Sequence, residues 1–529
     1  MTDGGQSTSP QAPGDRAFFG HPRGLSTLFF TEMWERFSYY GMRAILVLFM
    51  TAAVVDGGLG FSKADAAIVY GLYTSMVWLL PLAGGWLADN VLGMRRAVLY
   101  GGIVIMAGHV LLALHGMTAF YLGLACVVLG TGLLKPNISG IVGQLYSEED
   151  KRRDSGFSIF YMGINLGAVS SPLVCGWLAQ HEGFKTLLRS WGMDPAASWH
   201  WGFAAAAVGM FFGVLQYVAT ARNLGQAGLV PGGATTPEGR ARARRTLGTV
   251  ARWLAGLAAA LLALFLLRRQ PFVASLSDGV FGADGITKSH VDTAYTWVLF
   301  GAVGAFFAWL FSNRGWSAHE RRRLIVIAGL FVGSCVFWSV FEQAGSTLTF
   351  FAEERTVKTI AGVEFKSSWW QSVNGGLIVL LAPVFAWIWA KLGDFDRSSA
   401  IRFAIGILFA GLGFAVLIGG ARASEGGARA GAGWLFTVYV CHTIGELCLS
   451  PVGLSSMTRF SPQRVQGLML GVWFASIAVG TFLGSKVAGV YEQYELPTLF
   501  LAVTAGAVVM AVIMALLARP MARLVDTKD

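Results

Sequence analysis

Apolar stretches recur along the whole chain, for example at residues 297–311, 324–340, 377–390 and 499–517. A helix needs about 20 mainly apolar residues to cross a bilayer, and about fourteen stretches of this chain approach that length. The pattern therefore predicts an all-α polytopic membrane protein.

The apolar stretches fall into two similar halves. Six fill about residues 24–222 and six more fill about residues 322–520, while a polar segment at 223–245 is followed by two further stretches at 247–267 and 291–311. We predict fourteen transmembrane helices in a 6 + 2 + 6 arrangement, a plan typical of transporters with a substrate site between the halves. The predicted divisions are a tail at 1–20, a six-helix bundle at 21–222, a linker with two inserted helices at 223–320, a six-helix bundle at 321–520 and a tail at 521–529.

The balance of charge fits a membrane protein better than a nucleic-acid-binding one. Of the 529 residues 54% are hydrophobic and 13% are charged, whereas soluble domains carry about a quarter charged residues. With the N-terminus inside, the cytoplasmic loops hold roughly 24 Lys and Arg against roughly 11 on the other side. The basic clusters at 151–153, 242–245 and 321–323 are then orientation signals that face anionic lipid. We expect both termini to be cytoplasmic and no nucleic-acid partner.

The sequence predicts neither a cleavable signal peptide nor a site built from cysteines. Residues 1–20 lack a basic segment followed by an apolar core, so we expect a cytoplasmic tail and no cleavable signal peptide. The five cysteines all lie in apolar stretches without a CxxC spacing, which predicts neither a disulfide framework nor a metal site.

The first apolar stretch carries an unusual set of polar side chains. An ionisable residue at bilayer depth costs about 2.5 to 3.5 kcal/mol on insertion scales, so each one needs a reason. At about 100° per residue these positions form one stripe, which predicts that they face a polar cavity. The alternative is a salt-bridge network that only locks this helix to its neighbours. The stripe consists of Glu32, Glu35, Arg36, Tyr39, Tyr40 and Arg43.

Three other stretches each contain an isolated charge, namely Lys135, Glu342 and Glu446. A buried carboxylate takes up a proton when it loses its cationic partner and releases it when the pair forms again. We therefore expect Arg43 to pair with Glu342 and Lys135 with Glu446 between the two halves, so that rocking is linked to protonation. The alternative for either glutamate is a packing salt bridge.

The proton carriers are expected in the first helix. Glu32 and Glu35 lie close to Arg36 in sequence and are the leading candidates. His442 lies four residues before Glu446, but a lone histidine in a helix is more often a packing residue.

Several motifs resemble one family. The pattern Glu32-x-x-Glu35-Arg36-Phe37-x-Tyr39-Tyr40 is similar to the signature of the proton-coupled oligopeptide transporters, within the major facilitator superfamily. Residues 154–168, 341–346 and 445–455 resemble the fifth, seventh and tenth helices of that family. The resemblance runs in register from about residue 21 to 490. It implies the major facilitator fold in its bacterial fourteen-helix form, located in the inner membrane, and proton-coupled uptake of di- and tripeptides by alternating access.

The resemblance also implies roles for individual residues. It places the peptide carboxylate near Arg36 and Lys135, and the peptide amino group near Glu446, Asn165 and Asn374. A site with opposite charges at its two ends reads both termini and tolerates many side chains. Besides these five residues, the expected peptide-binding residues are Tyr39, Tyr40, Trp78, Trp338, Ser450 and Trp473.

Residues 84–96 resemble the superfamily loop between the second and third helices, in which Asp89, Arg95 and Arg96 would latch the cytoplasmic side. Trp78 departs from the family pattern, because a tyrosine is common at that position, and this predicts a reshaped pocket. Gly375 follows Asn374 where a proline is usual. These departures affect the expected peptide preference and leave the expected coupling residues in place.

Two other functions remain to be weighed. A relative that moves nitrate or another small solute would be expected to lack part of the Glu32, Glu35 and Arg36 set or Lys135, and all four are present. A membrane-embedded transferase would need a loop or domain with convergent His, Asp or Cys, and no loop is suitably composed. We therefore expect a transporter and not an enzyme, with the proton as coupling ion and no other cofactor.

Overall fold

The structure is a computed structural model that describes residues 16–229, 287–392, 399–462 and 465–526, except 148 and 361, together with short fragments between 236 and 256. Helices dominate, and their ends follow local capping signals. Ser62 accepts a hydrogen bond from the backbone N–H of Asp65 at the start of the second helix, at 3.1 Å. Ser317 and Glu320 form a reciprocal capping box at the start of the ninth.

The helices of the first half precede residue 222. Six of them are long, and the short α6 lies between α5 and α7. They are α1 (Arg23–Thr51), α2 (Lys63–Leu87), α3 (Met94–Leu112), α4 (Met117–Gln144), α5 (Arg153–Gln180), α6 (Glu182–Ser190) and α7 (Ser198–Thr220). We call this group the N-bundle.

The remaining described helices follow residue 287. The first of them, α8 (Lys288–Ser312), lies between the halves of the sequence and the others form the C-bundle. The C-bundle consists of α9 (Ala318–Phe341), α10 (Thr347–Glu354), α11 (Trp370–Leu392), α12 (Ser399–Ala423), α13 (Ala432–Arg459), α14 (Gln466–Gly489) and α15 (Leu496–Asp526). Between α10 and α11, strands β1 (Thr359–Ile360) and β2 (Val363–Glu364) pair antiparallel, with Thr359 opposite Glu364.

The predicted membrane segments correspond to helices of the structure. Among the described residues, 12 helical segments are long and apolar enough to cross a membrane, counting the interrupted segment Ala318–Glu354 as one. Helix α1, 29 residues long, is not one of these 12, because charged side chains interrupt its apolar sequence. Most of the predicted stretch 247–267 lies outside the described residues. The count of fourteen therefore stays a prediction.

The bundles meet most closely at the end where α1 finishes and α2 begins, which we call the outer side. A Cβ on Gly71 of α2 would lie 1.9 Å from the Ser485 hydroxyl oxygen of α14, so only glycine permits this approach. The Lys63 ammonium bonds Glu354 at 2.6 Å and Glu492 at 2.9 Å, joining the N-bundle to the C-bundle. The interface is therefore closed on the outer side.

One long span is broken where it meets the first bundle. A single turn of 3-10 helix at Glu342–Gly345 separates α9 from α10. A Cβ on Gly345 would lie 1.8 Å from the Tyr70 hydroxyl oxygen and 2.9 Å from Arg43 Nε. The glycine lets the broken segment approach α1 and α2, and it brings the Glu342 carboxylate to the interface.

Candidate functional site

A cavity of about 480 Å³ lies between the two bundles. Its walls come from α1, α2, α4 and α5 on one side and from α9, α11, α13 and α14 on the other. Ten of the eleven residues predicted to bind peptide line it, namely Arg36, Tyr40, Trp78, Lys135, Asn165, Trp338, Asn374, Glu446, Ser450 and Trp473. The sequence therefore located the residues of one shared cavity.

The stripe on α1 divides into two rows. Glu32, Arg36, Tyr40 and Arg43 line the cavity, with a repeat close to one helical turn. Glu35, by contrast, is fully buried beside them and lies outside the cavity wall. At 100° per residue, it falls on the flank of the stripe.

Tyr39 does not line the cavity in this structure, and its predicted contact with peptide stays a prediction. Its ring is 3% exposed and is not part of the cavity wall, because it lies on the same flank as Glu35. The Arg36 guanidinium lies 5.2 Å from the centroid of the Tyr39 ring, and Tyr40 packs against it at 5.2 Å between centroids. Tyr39 therefore supports two residues of the wall from behind.

Arg36 is held between the two carboxylates of its own helix. Its Nε lies 3.2 Å from Glu32 Oε1 and bonds Glu35 as well. One carboxylate oxygen of each glutamate, and Nη2 of Arg36, have no hydrogen-bond partner among the described residues. The cluster is thus buried and ionic, and it keeps donor and acceptor capacity for a ligand or a proton.

The expected pair between Arg43 and Glu342 is formed. Arg43 Nη2 lies 2.7 Å from Glu342 Oε2, both side chains are buried, and the pair joins α1 to the break after α9. Tyr70 of α2 accepts a second hydrogen bond from Arg43 Nε at 2.8 Å. Sequence reasoning missed Tyr70, because nothing local in α2 indicates that its hydroxyl meets an arginine of another helix.

The expected pair between Lys135 and Glu446 is not formed in this structure, although both residues line the cavity. The Lys135 ammonium lies over the Trp78 ring, 3.2 Å from its centroid, which is a cation–π contact. Glu446 instead accepts a hydrogen bond from the Asn374 amide at 3.1 Å. Each member has a neighbour on its own bundle, so the pair stays a prediction for another state of the protein.

Aromatic rings flank the charged groups. Trp338 and Trp473 of the C-bundle are nearly perpendicular, with centroids 6.4 Å apart. Trp78 of the N-bundle stacks on Phe474 of the C-bundle, at 6.1 Å and 23°. The indole N–H groups of Trp78 and Trp338 have no partner among the described residues. These rings offer flat apolar surfaces and two free donors to a ligand.

Several lining residues were not predicted, and most have a helical neighbour that was. Tyr161 lies four residues before Asn165, whose amide donates to the Tyr161 carbonyl at 3.0 Å. Gln371 lies three residues before Asn374, and Phe474 follows Trp473. The spacing of three or four residues along a shared helix face was the signal available for the first two.

The expected cytoplasmic latch has a different partner. Arg95 donates through Nε to the Ala227 carbonyl and through Nη2 to the Gly225 carbonyl, both at 2.6 Å. Among the described residues no ion pair joins Asp89 to Arg95 or Arg96, and backbone carbonyls after α7 occupy the guanidinium of Arg95. The contact therefore joins α3 to the segment that follows α7.

In the described part of the chain, no group of three His, Cys, Asp or Glu side chains is placed to hold a metal ion. The ionisable groups of the cavity face one another and a common space instead. The arrangement suits a ligand that carries both signs of charge.

Comparisons with known proteins agree on one family. The model of the POT family matches residues 95–233 and 298–502. The "Peptide transporter YePEPT" of Yersinia enterocolitica is 38% identical over 98% of this chain and 98% of its own length. The "Di-/tripeptide transporter" of Lactococcus lactis subsp. cremoris is 33% identical over 96% of this chain and 98% of its own.

A solved structure agrees with these sequence matches. The crystal structure of the peptide transporter POT in complex with sulfate superposes with a TM-score of 0.84 at 39% identity. The match covers 96% of this chain and 97% of that one.

Proposed function

The chain belongs to the POT family of membrane transporters, and on that premise we propose that it carries di- and tripeptides into the cell together with protons. Transport would proceed by alternating access, with the cavity between the bundles open to one side of the membrane at a time. The chain would move its substrate without chemical change, and the proton would be the only coupling ion.

The observation that carries the proposal is the distribution of charge across the cavity. Arg36 and Lys135 lie on the N-bundle wall, and Glu446 lies on the opposite wall with Asn374 beside it. A short peptide is a zwitterion whose termini are separated by one or two residues. Two facing walls of opposite charge bind the two termini and so orient such a molecule. Its side chains then occupy the space between the walls.

We place the peptide carboxylate at Arg36 and Lys135, where a free guanidinium donor and a flexible ammonium are available. Lys135 would leave the Trp78 ring to meet that carboxylate. The peptide amino group would bind Glu446, with the amides of Asn165 and Asn374 nearby. Peptide side chains and backbone would contact Tyr40, Trp78, Trp338, Ser450 and Trp473.

We assign proton coupling to the charged residues that connect the two bundles and to those that bind the peptide. Glu32 and Glu35 compete for Arg36, so a peptide carboxylate that binds Arg36 would release one of them to take a proton. The Arg43 and Glu342 pair closes the outer side and would open when Glu342 is protonated. Lys135 and Glu446 would pair only when the walls approach.

The architecture proposed for the whole chain is the major facilitator fold with fourteen transmembrane helices, divided as 6 + 2 + 6. Both termini would lie in the cytoplasm and the protein in a bacterial inner membrane, surrounded by lipid. Residues 21–222 and 321–520 would be the rocking bundles, and 223–320 the linker with the inserted pair. The residues Asp89, Arg95 and Arg96 would close the cytoplasmic side in the outward-facing state.

Uptake into liposomes tests this function. A labelled dipeptide should accumulate inside when the outside is acidic or the inside negative, and unlabelled di- and tripeptides should compete, whereas single amino acids and nitrate should not. Protein-free liposomes and liposomes treated with a protonophore are the controls. Accumulation of nitrate or an amino acid without competition by peptides would contradict the proposal.

A further inference from the structure

Helix α8 contacts both bundles, although it belongs to neither half of the repeated plan. It begins at the outer side with Lys288 and ends at Ser312, five residues before the cap of α9. Much of its surface is exposed, with Trp297 76% and Val298 68% accessible. Three of its polar side chains, Lys288, Asp292 and Tyr295, lie on another face and reach across the seam between α2 and α14.

Contacts near both ends of α8 hold it to the C-bundle. Asp292 forms an ion pair with Lys486 of α14, and the Asp292 side chain is only 14% exposed. Nearer the other end of α8, Phe307 meets Phe331 of α9 with ring centroids 5.1 Å apart. The helix is also joined to α9 by a short connection.

Two other contacts hold α8 to the N-bundle. The Lys288 ammonium lies 3.0 Å from Asp65 Oδ2 in the first turn of α2 and 3.6 Å from the Phe61 ring centroid. Two turns further on, the Tyr295 hydroxyl and the Ser75 hydroxyl are 2.8 Å apart. These contacts connect α8 to the bundle that is more distant in sequence.

The polar contacts share one face of α8. Residues 288, 292 and 295 are separated by four and three positions, which places them above one another on a helix. Tyr295 also packs on Phe482 of α14, at 5.1 Å between ring centroids. A single stripe therefore contacts α2 and α14 alternately, where Gly71 and Ser485 bring those two helices into closest approach.

From this placement we infer that α8 is a strut across the seam, which stabilises the state closed on the outer side. The strut stays on the C-bundle through Asp292 and Phe307. It releases Asp65 and Ser75 of the N-bundle when the outer side opens. The inference rests on the proposed alternating access and assigns a conformational role to the inserted segment.

Distances between spin labels test the strut directly. Val55→Cys and Tyr494→Cys place labels on exposed positions of the two bundles at the outer side, in a background without the five native cysteines. Exposed ion pairs and single hydrogen bonds have small individual effects, so Lys288→Gln and Tyr295→Phe should each raise the ratio of long to short distances about threefold. The double variant should raise it about tenfold.

Matched controls distinguish the loss of the contacts made by Lys288 and Tyr295 from a general destabilisation of α8. Lys288→Arg keeps the cation and should retain the parent distances, and Trp297→Leu changes a lipid-facing residue and should do the same. Equal distance ratios in the parent and the Lys288→Gln/Tyr295→Phe double variant would overturn the strut.

A cross-linking experiment keeps the inference testable if a variant is unstable. A bifunctional thiol reagent joining Ser75→Cys to Tyr295→Cys should stop peptide uptake, and cleavage of the linker should restore it. The same reagent joining Phe307→Cys to Phe331→Cys links α8 to its own bundle and should leave uptake unchanged. Full uptake by the cross-linked Ser75 and Tyr295 pair would overturn the strut. The label distances need no substrate, so parent protein without peptide uptake would contradict the proposed function alone.

Discussion

The two walls of the cavity differ in charge and in how that charge is held. The N-bundle wall carries Arg36, Arg43 and Lys135 with a single carboxylate, Glu32, whereas the basic residues Lys and Arg are missing from the described C-bundle lining, which holds Glu342 and Glu446. On the N-bundle side the carboxylates bond a cation of their own helix. On the C-bundle side Glu342 bonds across the seam and Glu446 bonds an amide.

This difference separates two tasks. Under the proposed alternating access, a pair within α1, such as Glu32 with Arg36, would keep its geometry when the bundles rock, so it would respond only to a ligand or a proton. The Arg43 and Glu342 pair has its two members on different bundles, so it would also respond to their movement. The proposed coupling uses both kinds of pair, and the variants below remove one kind at a time.

The largest effect is expected from the carboxylates of α1. Glu32→Gln or Glu35→Gln should abolish proton-driven accumulation, because the amide competes for Arg36 without taking up a proton. Counterflow of labelled against unlabelled peptide needs no net proton movement and should remain measurable in the same liposomes. Normal accumulation in both variants would remove these residues from coupling.

Removing one member of the pair across the seam should have the next largest effect. A buried ion pair that loses one partner costs about 3–5 kcal/mol, because the remaining charge stays buried. Uptake by Arg43→Gln or Glu342→Gln should therefore fall at least about tenfold. The exchange Arg43→Glu with Glu342→Arg should recover part of the rate, and a double variant no better than the singles would argue against the pair.

Lys135 is a cation of the N-bundle wall and has no ion-pair partner in the described structure. Lys135→Ala tests its role. Loss of one charge-assisted hydrogen bond to the peptide carboxylate is worth about 1.5–3 kcal/mol, so KM for peptide uptake should rise about tenfold or more. Lys135→Arg keeps the charge and is the matched control. Unchanged affinity and rate in Lys135→Ala would exclude it from the peptide site.

Glu446→Gln tests the opposite wall and should change selectivity more than rate. Dipeptides with a free amino group should weaken about fivefold relative to their acetylated forms, because the amide attracts an ammonium less than a carboxylate does. Competition against one labelled dipeptide measures both classes in the same experiment. Equal weakening of free and acetylated peptides would argue against recognition of the amino terminus.

The smallest effect is expected from Trp78→Tyr. The smaller ring weakens the cation–π contact with Lys135 and the stack on Phe474, while it adds a hydroxyl to the cavity. A cation–π contact is worth about 0.5–2 kcal/mol and the tyrosine ring keeps part of it, so peptide affinity should change about two- to fivefold, with different peptides changing by different amounts. Trp78→Phe is the control that lacks the hydroxyl.

The sequence was most informative where a charged residue interrupted an apolar stretch. The charges of α1, Lys135, Glu342 and Glu446 interrupt apolar stretches, and such residues have few reasons to exist except a cavity or a partner. Opposite signs in the two halves then indicated the Arg43 and Glu342 pair. The long helices followed from the apolar stretches themselves, since few other structures satisfy the backbone inside a membrane.

The missed features depend on geometry that has no local signature. Tyr39 was placed in the stripe by its angle, but it lies at the edge of the stripe beside the buried Glu35, where its ring is buried as well. Arg95 binds backbone carbonyls, which every residue has, so no side chain in the sequence could reveal that partner. Lys135 and Glu446 face one cavity, but whether they touch depends on the separation of the walls.

The Arg43 and Glu342 pair also has a consequence for how the protein is made. Its members are 299 residues apart, and a ribosome that adds about 5–20 residues per second needs about 15–60 s to reach the second. During that interval Arg43 must stay in a membrane without its carboxylate, whereas Arg36 enters with Glu32 and Glu35 already beside it. We therefore expect α1 to remain beside the insertion machinery, or beside another protein that offers polar groups, until the C-bundle is synthesised.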